Sequence, residues 1–212
     1  MPVLLQLDSS IDPDTSVSRA LTARFASAWR ARGDDYTVVV HDLVADPVPH
    51  LPHHSLHWPP RLREADSPVF AEAEAMQNRV IDELLGADAV VIGAPMYNYS
   101  IPSTLKTWLD DIHVPGRMAP FDSDTQPMKD RRAVIISSRG ATYDAGSPTA
   151  DWDHTVAPIR IILGDSLGMN IDVVTVSRTL SRTVPTMAAE REGFDAELAA
   201  AQHRVDELAA TI

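Results

Sequence analysis

The chain has 212 residues, 44% of them hydrophobic and 23% charged, which excludes a disordered chain, a coiled coil and a collagen. At about 150 residues per domain, this length predicts one large domain, residues 1–212, that can bury a full core. The formal net charge of −12 disfavours phosphate backbones and anionic membrane surfaces, so we expect neither nucleic acid nor a membrane as partner.

Two further absences narrow the class of protein. The chain has no cysteine, which excludes disulfides, thiolate catalysis and cysteine-based zinc sites. No apolar run approaches the ~20 residues that span a bilayer. The first residues, Met1 to Leu7, lack the basic region of a signal peptide, so the sequence predicts a cytoplasmic protein.

Five short apolar or β-branched runs predict β-strands, and helical spacing predicts a helix after each. The predicted strands, in chain order, are Val3–Leu7, Tyr36–His41, Ala89–Ala94, Ala133–Ser137 and Ile171–Val176. The predicted helices cover 17–32, 69–86, 102–111 and 151–164, and a last helix carries Phe194, Leu198, Ala201, Val205 and Leu208 in one stripe. Proline-rich 44–68 and irregular 113–130 are predicted to be long loops that cover a cleft. This alternation predicts an α/β fold, a five-stranded parallel sheet with helices on both faces.

Ligands of such sheets bind outside the carboxyl ends of the strands, so the loops that follow the strands matter most. The first of these loops, 9–18, holds five hydroxyl residues between a strand and a helix. Hydroxyls and the free amides of a helix N-terminus suit a phosphate monoester, although a polar loop with a Ser or Thr N-cap is an equal interpretation. The glycine-rich dinucleotide signature is absent, which disfavours a dinucleotide-binding fold of the NAD type.

Two other loops join the same edge. Residues 93–102 contain two tyrosines, an asparagine and a methionine, which suit a flat heteroaromatic ring; packing of the aromatics onto the core is the alternative. Residues 137–143 contain Gly140, which permits a positive φ or a close backbone approach, and a simple strand-exit turn is the alternative.

The run Ala94–Trp108 resembles the signature of the bacterial FMN-dependent NADH:azo/quinone reductases, a flavodoxin-like family with a three-layer sandwich fold. Ser137–Gly140 resembles the second signature of that family, and the serine-rich first loop resembles its phosphate loop. The resemblance implies FMN as cofactor, NADH or NADPH as electron donor, and a quinone or azo compound as acceptor. It also implies a homodimer whose substrate cleft is built from both subunits.

The resemblance assigns roles to individual residues. The FMN phosphate is expected at Ser10, Ser16, Val17 and Ser18. The isoalloxazine and ribityl are expected along Met96, Tyr97, Asn98 and Tyr99, with Ser138 and Gly140 on the pyrimidine side. Pro95 and Arg139 are further expected cofactor-binding residues. Tyr99 and Phe121 are candidate walls of the substrate pocket, and Tyr143 is a candidate hydrogen-bond donor to the acceptor. No metal ligand is implied.

The sequence departs from the family pattern at three places. Ala141 stands where a second glycine is usual, and Tyr143 stands about where relatives often carry a histidine. The segment 114–121 differs from the usual sequence on the substrate side of the flavin. These departures make the identity of the acceptor less predictable than the binding of a flavin.

Three other interpretations remain at this stage. A flavodoxin-type electron carrier would bind FMN without turning over a free nicotinamide. Gly164–Gly168 matches the G-x-S-x-G pattern, so Ser166 is a candidate hydrolase nucleophile, although the predicted order of helix, turn and strand disagrees with a nucleophile elbow. The histidines at positions 50, 53, 54 and 57 could bind a metal, but the prolines between them argue against a helix there.

Overall fold

The computed structural model describes residues 1–212 without a gap and contains one five-stranded sheet. The strands are β1 (Val3–Asp8), β2 (Thr37–Asp42), β3 (Ala89–Pro95), β4 (Arg132–Ser138) and β5 (Asn170–Val176). Their order is β2-β1-β3-β4-β5, and every neighbouring pair is parallel. This topology confirms the predicted α/β fold with a flavodoxin-like strand order.

The sheet is buried on both faces because alternate side chains of each central strand point into different cores. In β1, Leu5 and Leu7 belong to a core of 26 residues, whereas Leu4 belongs to a second core of 17 residues on the other face. In β3, Val90 and Val91 divide in the same way. This double burial explains why the central strands appear in the sequence as continuous apolar runs.

The helices cover both faces. They are α1 (Val17–Arg30), α2 (Ala71–Gly86), α3 (Ser103–Ile112), α4 (Val156–Ile159) and α5 (Arg191–Thr211). Helices α1 and α5 supply the smaller core, and α2, α3 and α4 supply the larger one. None of the helices combines the length and the apolar character needed to span a membrane.

The predicted helix over 151–164 is wrong in its bounds. A 3₁₀ turn at Ala150–Trp152 is followed by α4, which continues as π-helix over Arg160–Ser166. Pro158 explains the late start, because a proline is tolerated in the first turn of a helix but not in its interior.

Within one copy of the chain, neither of the two long loops that the sequence predicts as covers lines the cleft at the carboxyl edge of the sheet. Segment 44–68 includes 3₁₀ turns at His54–His57 and Pro60–Leu62, and its Leu56 is buried. Gln77 of α2 fixes that segment by donating to the carbonyl of Leu56 at 3.0 Å. In segment 113–130, Met118 and Met128 are buried in the larger core. Both segments therefore add to the layer of α2 and α3.

Candidate functional site

A cleft of about 590 Å³ opens at the carboxyl edge of the sheet. Four loops form its walls, those that follow β1, β3, β4 and β5. The residues that line it are Ser10, Asp12, Thr15, Ser16, Val17, Pro95, Met96, Tyr97, Ser138, Gly140, Thr179, Leu180, Arg182, Thr183 and Arg191. The three loops singled out from the sequence therefore do converge, and a fourth joins them.

The loop after β1 is held in place from below by Arg19 of α1. The Arg19 guanidinium makes two 2.8 Å hydrogen bonds to the Asp42 carboxylate and donates to the carbonyl of Ser10 at 2.9 and 2.6 Å. The Arg19 guanidinium also holds the pKa of Asp42 below its usual range. At the top of the loop, Ser10 Oγ lies 3.1 Å from Tyr97 Oη, which joins the first loop to the second.

The N-terminus of α1 opens into this cleft with unused donors. Ser16 is the N-cap and accepts from the amide of Arg19 at 3.3 Å, and its hydroxyl lies 3.1 Å from that of Ser18. The amides of Val17 and Ser18 have no acceptor within the protein. Ser18 is fully buried and does not line the cleft, contrary to the expectation from the sequence, so Val17 carries the amide that is available there. Free amides and hydroxyls at a helix N-terminus fit a phosphate monoester.

The second loop makes a tight turn of the I′ kind. The amide of Ser100 donates to the carbonyl of Tyr97 at 3.1 Å, and the reverse bond is 2.9 Å. Between them Asn98 (φ 48°) and Tyr99 (φ 72°) are both left-handed. Asparagine adopts this region readily, but tyrosine does so at a cost in backbone strain. The turn points Asn98 into an adjoining hollow of about 600 Å³ rather than into the cleft.

The third loop approaches the cleft closely through its backbone. The Met96 amide donates to the carbonyl of Ser138 at 2.8 Å, which places the second and third loops side by side. Gly140 does not have a positive φ, but a Cβ there would lie 2.8 Å from Leu180 Cδ1. Close approach is therefore the reason for this glycine. Ala141 is not left-handed either, so the departure from the family pattern at this position needs no shift of the backbone.

Arg139 does not line the cleft. Its side chain is buried, and its guanidinium bonds Asp153 at 3.0 Å, Asp144 at 2.9 Å and Ser177 Oγ at 2.6 Å. Through these bonds, Arg139 connects the loop after β4 to the loop after β5. The sequence placed it on the flavin because its position in the motif does not show the direction of its side chain.

Tyr99 and Tyr143 do not line the cleft but lie together in an aromatic cluster with Trp152. The ring centroids of Tyr99 and Trp152 are 5.3 Å apart, and both rings are about half exposed. Burial raises the pKa of the Tyr143 hydroxyl, helped by Tyr99 and Asp153, so that hydroxyl stays protonated and can donate. Sequence reasoning missed Trp152, which no motif marks.

Phe121 lies in segment 113–130, apart from the cleft. Its ring packs 4.8 Å from that of Trp58 and remains 62% exposed. Within one copy of the chain it is therefore not a wall of the cleft, because the segment that carries it packs onto α2 and α3.

The fourth wall, after β5, is the main element that sequence reasoning missed. The amides of Thr179 and Leu180 donate to the carbonyls of Arg139 and Gly140, each at 3.1 Å. This pairing brings Arg182 and Arg191 to the cleft. The available signal was the strand polarity, because the loop after a fifth parallel strand must reach the same edge as the other four.

Two carboxyl groups lie near the first loop. Burial raises the pKa of Asp8, at the end of β1, against the hydrogen bonds from Thr22 and Gln6 that lower it. The pKa of Asp12 is lowered, first by the hydrogen bond from the Thr15 hydroxyl, so Asp12 is a carboxylate in the cleft wall. Its charge is unfavourable for a phosphate unless a cation offsets it.

The structure does not form a nucleophile elbow at Ser166. Ser166 Oγ does lie 2.8 Å from His113 Nε2, but Ser166 ends a helical segment and β5 follows it. The next amide, that of Leu167, already donates to the carbonyl of Ile162 at 2.9 Å, so it is not free to stabilise an oxyanion. The histidines of segment 44–68 gather no group of three or more metal-ligating side chains.

Comparison with known proteins agrees with this geometry. The model of a family described as having a flavodoxin-like fold matches residues 3–205. A protein of Kineococcus radiotolerans named FMN-dependent NADH:quinone oxidoreductase is 52% identical over 212 residues, covering 100% of both chains. A protein of the same name from a Parafrankia species is 37% identical and covers 99% of this chain and 100% of its own.

Solved structures share the fold. An azoreductase of Bacillus anthracis has a TM-score of 0.82 and 20% identity, with 100% of both chains covered. An FMN-dependent NADH-azoreductase of the same species, in complex with FMN, has a TM-score of 0.77 and 18% identity and covers 99% of this chain and 98% of its own. The full-length identity to the first relative confirms the resemblance found in the signature loops. The chain belongs to the FMN-dependent NADH:quinone oxidoreductase family.

Proposed function

We propose that this protein is an FMN-dependent oxidoreductase that transfers a hydride from NADH or NADPH to quinones or azo compounds. One observation carries the proposal: Val17, whose amide has no acceptor in the protein, and the hydroxyl residues Ser10 and Ser16 line one cleft. That donor set fits the phosphate of FMN. When bound, FMN would supply the chemistry, which is acceptance and return of a hydride in a ping-pong cycle.

The residues of the chain bind and orient in this proposal. The first loop holds the phosphate through Ser10, Ser16 and the amides at the start of α1. Pro95, Met96 and Tyr97 line the cleft and would hold the flat ring, and Ser138 and Gly140, which also line it, would hold its pyrimidine side. Tyr143 lies outside the cleft, so its protonated hydroxyl would donate a hydrogen bond to an acceptor that binds over the aromatic cluster of Tyr99, Tyr143 and Trp152.

We place the site between two subunits of a homodimer in the cytoplasm. The large apolar side chains that remain about half or more exposed include Tyr99, Phe121, Trp152 and Ile161. A second copy of the chain would cover such side chains and bring Phe121 to its partner's site. Light scattering on the purified protein tests this part, and a monomer that retains full turnover would contradict it.

The test of the function begins with the visible spectrum before and after FMN is added. We expect flavin absorption in about one-to-one ratio with chains, and then steady oxidation of NADH when a quinone is present. A protein that binds FMN but does not oxidise NADH would instead be a flavodoxin-type electron carrier. A colourless protein that fails to bind added FMN would contradict the proposal.

A further inference from the structure

We propose that Arg182 recognises the terminal phosphate of the flavin and makes this cleft selective for FMN over unphosphorylated riboflavin. The inference rests on the proposed function and adds to it a residue from a loop that lies outside the signature motifs. The observations that carry it are the position of the Arg182 guanidinium, its lack of an acidic partner and the charge of the loop opposite.

Arg182 lies in the cleft wall that faces the first loop. Its Nη1 donates to the carbonyl of Thr15 at 3.2 Å, so the guanidinium reaches the residue just before the N-cap of α1. The amides of Val17 and Ser18, which have no acceptor in the protein, follow two and three residues after Thr15, and Val17 lines the cleft. A phosphate seated on those amides would therefore lie beside a planar group with several N–H donors, which matches phosphate oxygens in geometry and charge.

The other arginines of this region have carboxylate partners, and Arg182 does not. Arg178 pairs with Glu190 and Glu197, and Arg191 pairs with Asp195 at 3.2 Å. No carboxylate lies within 4.0 Å of Arg182, whose side chain packs against the buried ring of Phe194, with 5.8 Å from Cζ to the ring centroid. A guanidinium that packs on a ring and has no carboxylate in contact with it is available to an anionic ligand.

The negative charge of the first loop makes a nearby cation favourable for phosphate binding. Asp12 in the opposite wall is ionised and would repel a phosphate dianion. The positive charge of Arg182 contributes to the lowered pKa of Asp12. The same guanidinium therefore offsets the Asp12 carboxylate and offers a positive charge to the phosphate. Riboflavin, which lacks the phosphate, gains nothing from this arrangement.

The segment that carries Arg182 is fixed to the body of the protein. The Ser177 amide donates to a Glu197 carboxylate oxygen at 2.6 Å, and Thr179 and Leu180 pair with the third loop. Left-handed Arg178 (φ 63°) turns the chain between these two anchors. The Arg182 guanidinium is therefore carried by a segment that hydrogen bonds hold in place.

The experiment compares two flavins on matched variants. Dissociation constants of the apoprotein for FMN and for riboflavin are measured by flavin fluorescence quenching for the parent protein and for Arg182→Gln, Arg182→Lys and Arg30→Gln. Arg30 is an exposed arginine in the last turn of α1, so its variant removes the same charge about 20 Å from the N-terminus of that helix.

We expect Arg182→Gln to weaken FMN binding about tenfold or more and riboflavin binding less than about twofold. Arg182→Lys should restore part of the FMN affinity because it keeps the charge, and Arg30→Gln should change neither constant. The salt dependence of FMN binding should also become shallower in Arg182→Gln.

Two results would overturn the inference. Equal weakening of both flavins by Arg182→Gln would mean that the residue only holds the Thr15 loop, and unchanged FMN binding would mean that it has no role. Either result, in a parent protein that binds FMN and oxidises NADH, leaves the proposed function standing. Failure of the parent protein to bind FMN would overturn both.

Discussion

Two hollows of nearly equal size lie at opposite edges of the sheet. The cleft at the carboxyl edge has about 590 Å³, and a depression at the amino edge, beside Trp29, Arg32 and Arg131, has about 620 Å³. Their polar groups differ. In the depression Arg32 donates to the carbonyls of Ala209 and Ile212, and Arg131 donates to those of Leu85 and Ala87.

In the cleft, by contrast, the amide of Val17 has no acceptor in the protein, and the guanidinium of Arg182 makes only one hydrogen bond. This difference shows that the volume of a hollow does not by itself identify the binding site in this molecule. Donors committed to the ends of the protein's own helices stabilise the fold, whereas donors left free at a helix N-terminus are available to a ligand.

The largest expected effect comes from placing a negative charge in the cleft. Ser16→Asp keeps an N-cap residue and suits the helix dipole, so the fold should be retained. The carboxylate should repel the phosphate and weaken FMN binding about 100-fold or more, as measured by fluorescence quenching. Ser27→Asp adds the same charge to an exposed position near the other end of α1 and should leave the affinity unchanged. Normal FMN binding by the Ser16→Asp protein would show that the phosphate does not bind at this end of the cleft.

Asp111 is a buried carboxyl that borders neither hollow, so a substitution there should change the stability of the protein without changing its affinity for FMN. Burial raises the pKa of Asp111 in α3 to about 7, and Asp110 adds to the shift. The folded protein therefore keeps this proton while the unfolded chain loses it near pH 4, so the free energy of unfolding should fall as pH rises from about 4 to 7. Asp111→Asn should remove this loss and add about 2 kcal/mol at pH 8, with no gain at pH 4.

Denaturant titrations at the two pH values measure this effect, and FMN affinity should stay the same. Asp34→Asn, at an exposed carboxyl in the turn before β2, gives a matched control, because Asp34 does not contribute to the pKa shift of Asp111. A gain of equal size at pH 4 and pH 8 would show that Asp111 acts through packing and not through its charge.

A substitution in the amino-edge depression should lower the stability of the protein and leave its affinity for FMN unchanged. Arg32→Ala removes hydrogen bonds to the last carbonyls of α5 and the contacts of the guanidinium with the rings of Trp29 and Tyr36, at 5.0 and 4.5 Å. The free energy of unfolding should fall by about 1–2 kcal/mol, and FMN affinity should not change. Chemical denaturation with and without FMN measures both. A loss of FMN affinity would mean that the two edges are coupled.

The smallest effect is expected at the strained turn beside the cleft. Asn98→Ala puts a less tolerant residue at φ 48° and should weaken FMN binding about fivefold by shifting the backbone of Tyr97. Asn98→Gly keeps the conformation accessible and should restore most of that affinity. Titration with FMN compares them. Equal loss in both variants would assign the effect to the Asn98 side chain.

Much of the fold was predictable from the sequence, because the central strands are long apolar runs closed by polar loops. Val90 and Val91 are both buried, on different faces, which is what a continuous run implies for a parallel sheet. The helix bounds near Pro158 were less predictable, because the apolar spacing of 151–164 continues through a residue that interrupts the hydrogen bonding.

The candidate site was predictable only where a motif fixes the backbone. Ser10, Ser16 and Met96 line the cleft because their loops follow strand ends directly. Arg139, in an equally matching motif, turns away to Asp153, and Phe121 packs on Trp58. The direction of a side chain depends on partners that are distant along the chain, and no local pattern contains them.

The sequence by itself determined the order of the elements, the parallel sheet and the edge at which a ligand must bind, because hydrophobic periodicity and strand polarity are local properties. Only the tertiary structure decided that the loop after β5 pairs with Arg139 and Gly140 and brings Arg182 opposite Thr15, residues 167 positions apart. Such a contact depends on how four crossovers pack together, and the packing of distant elements is a property of the whole chain.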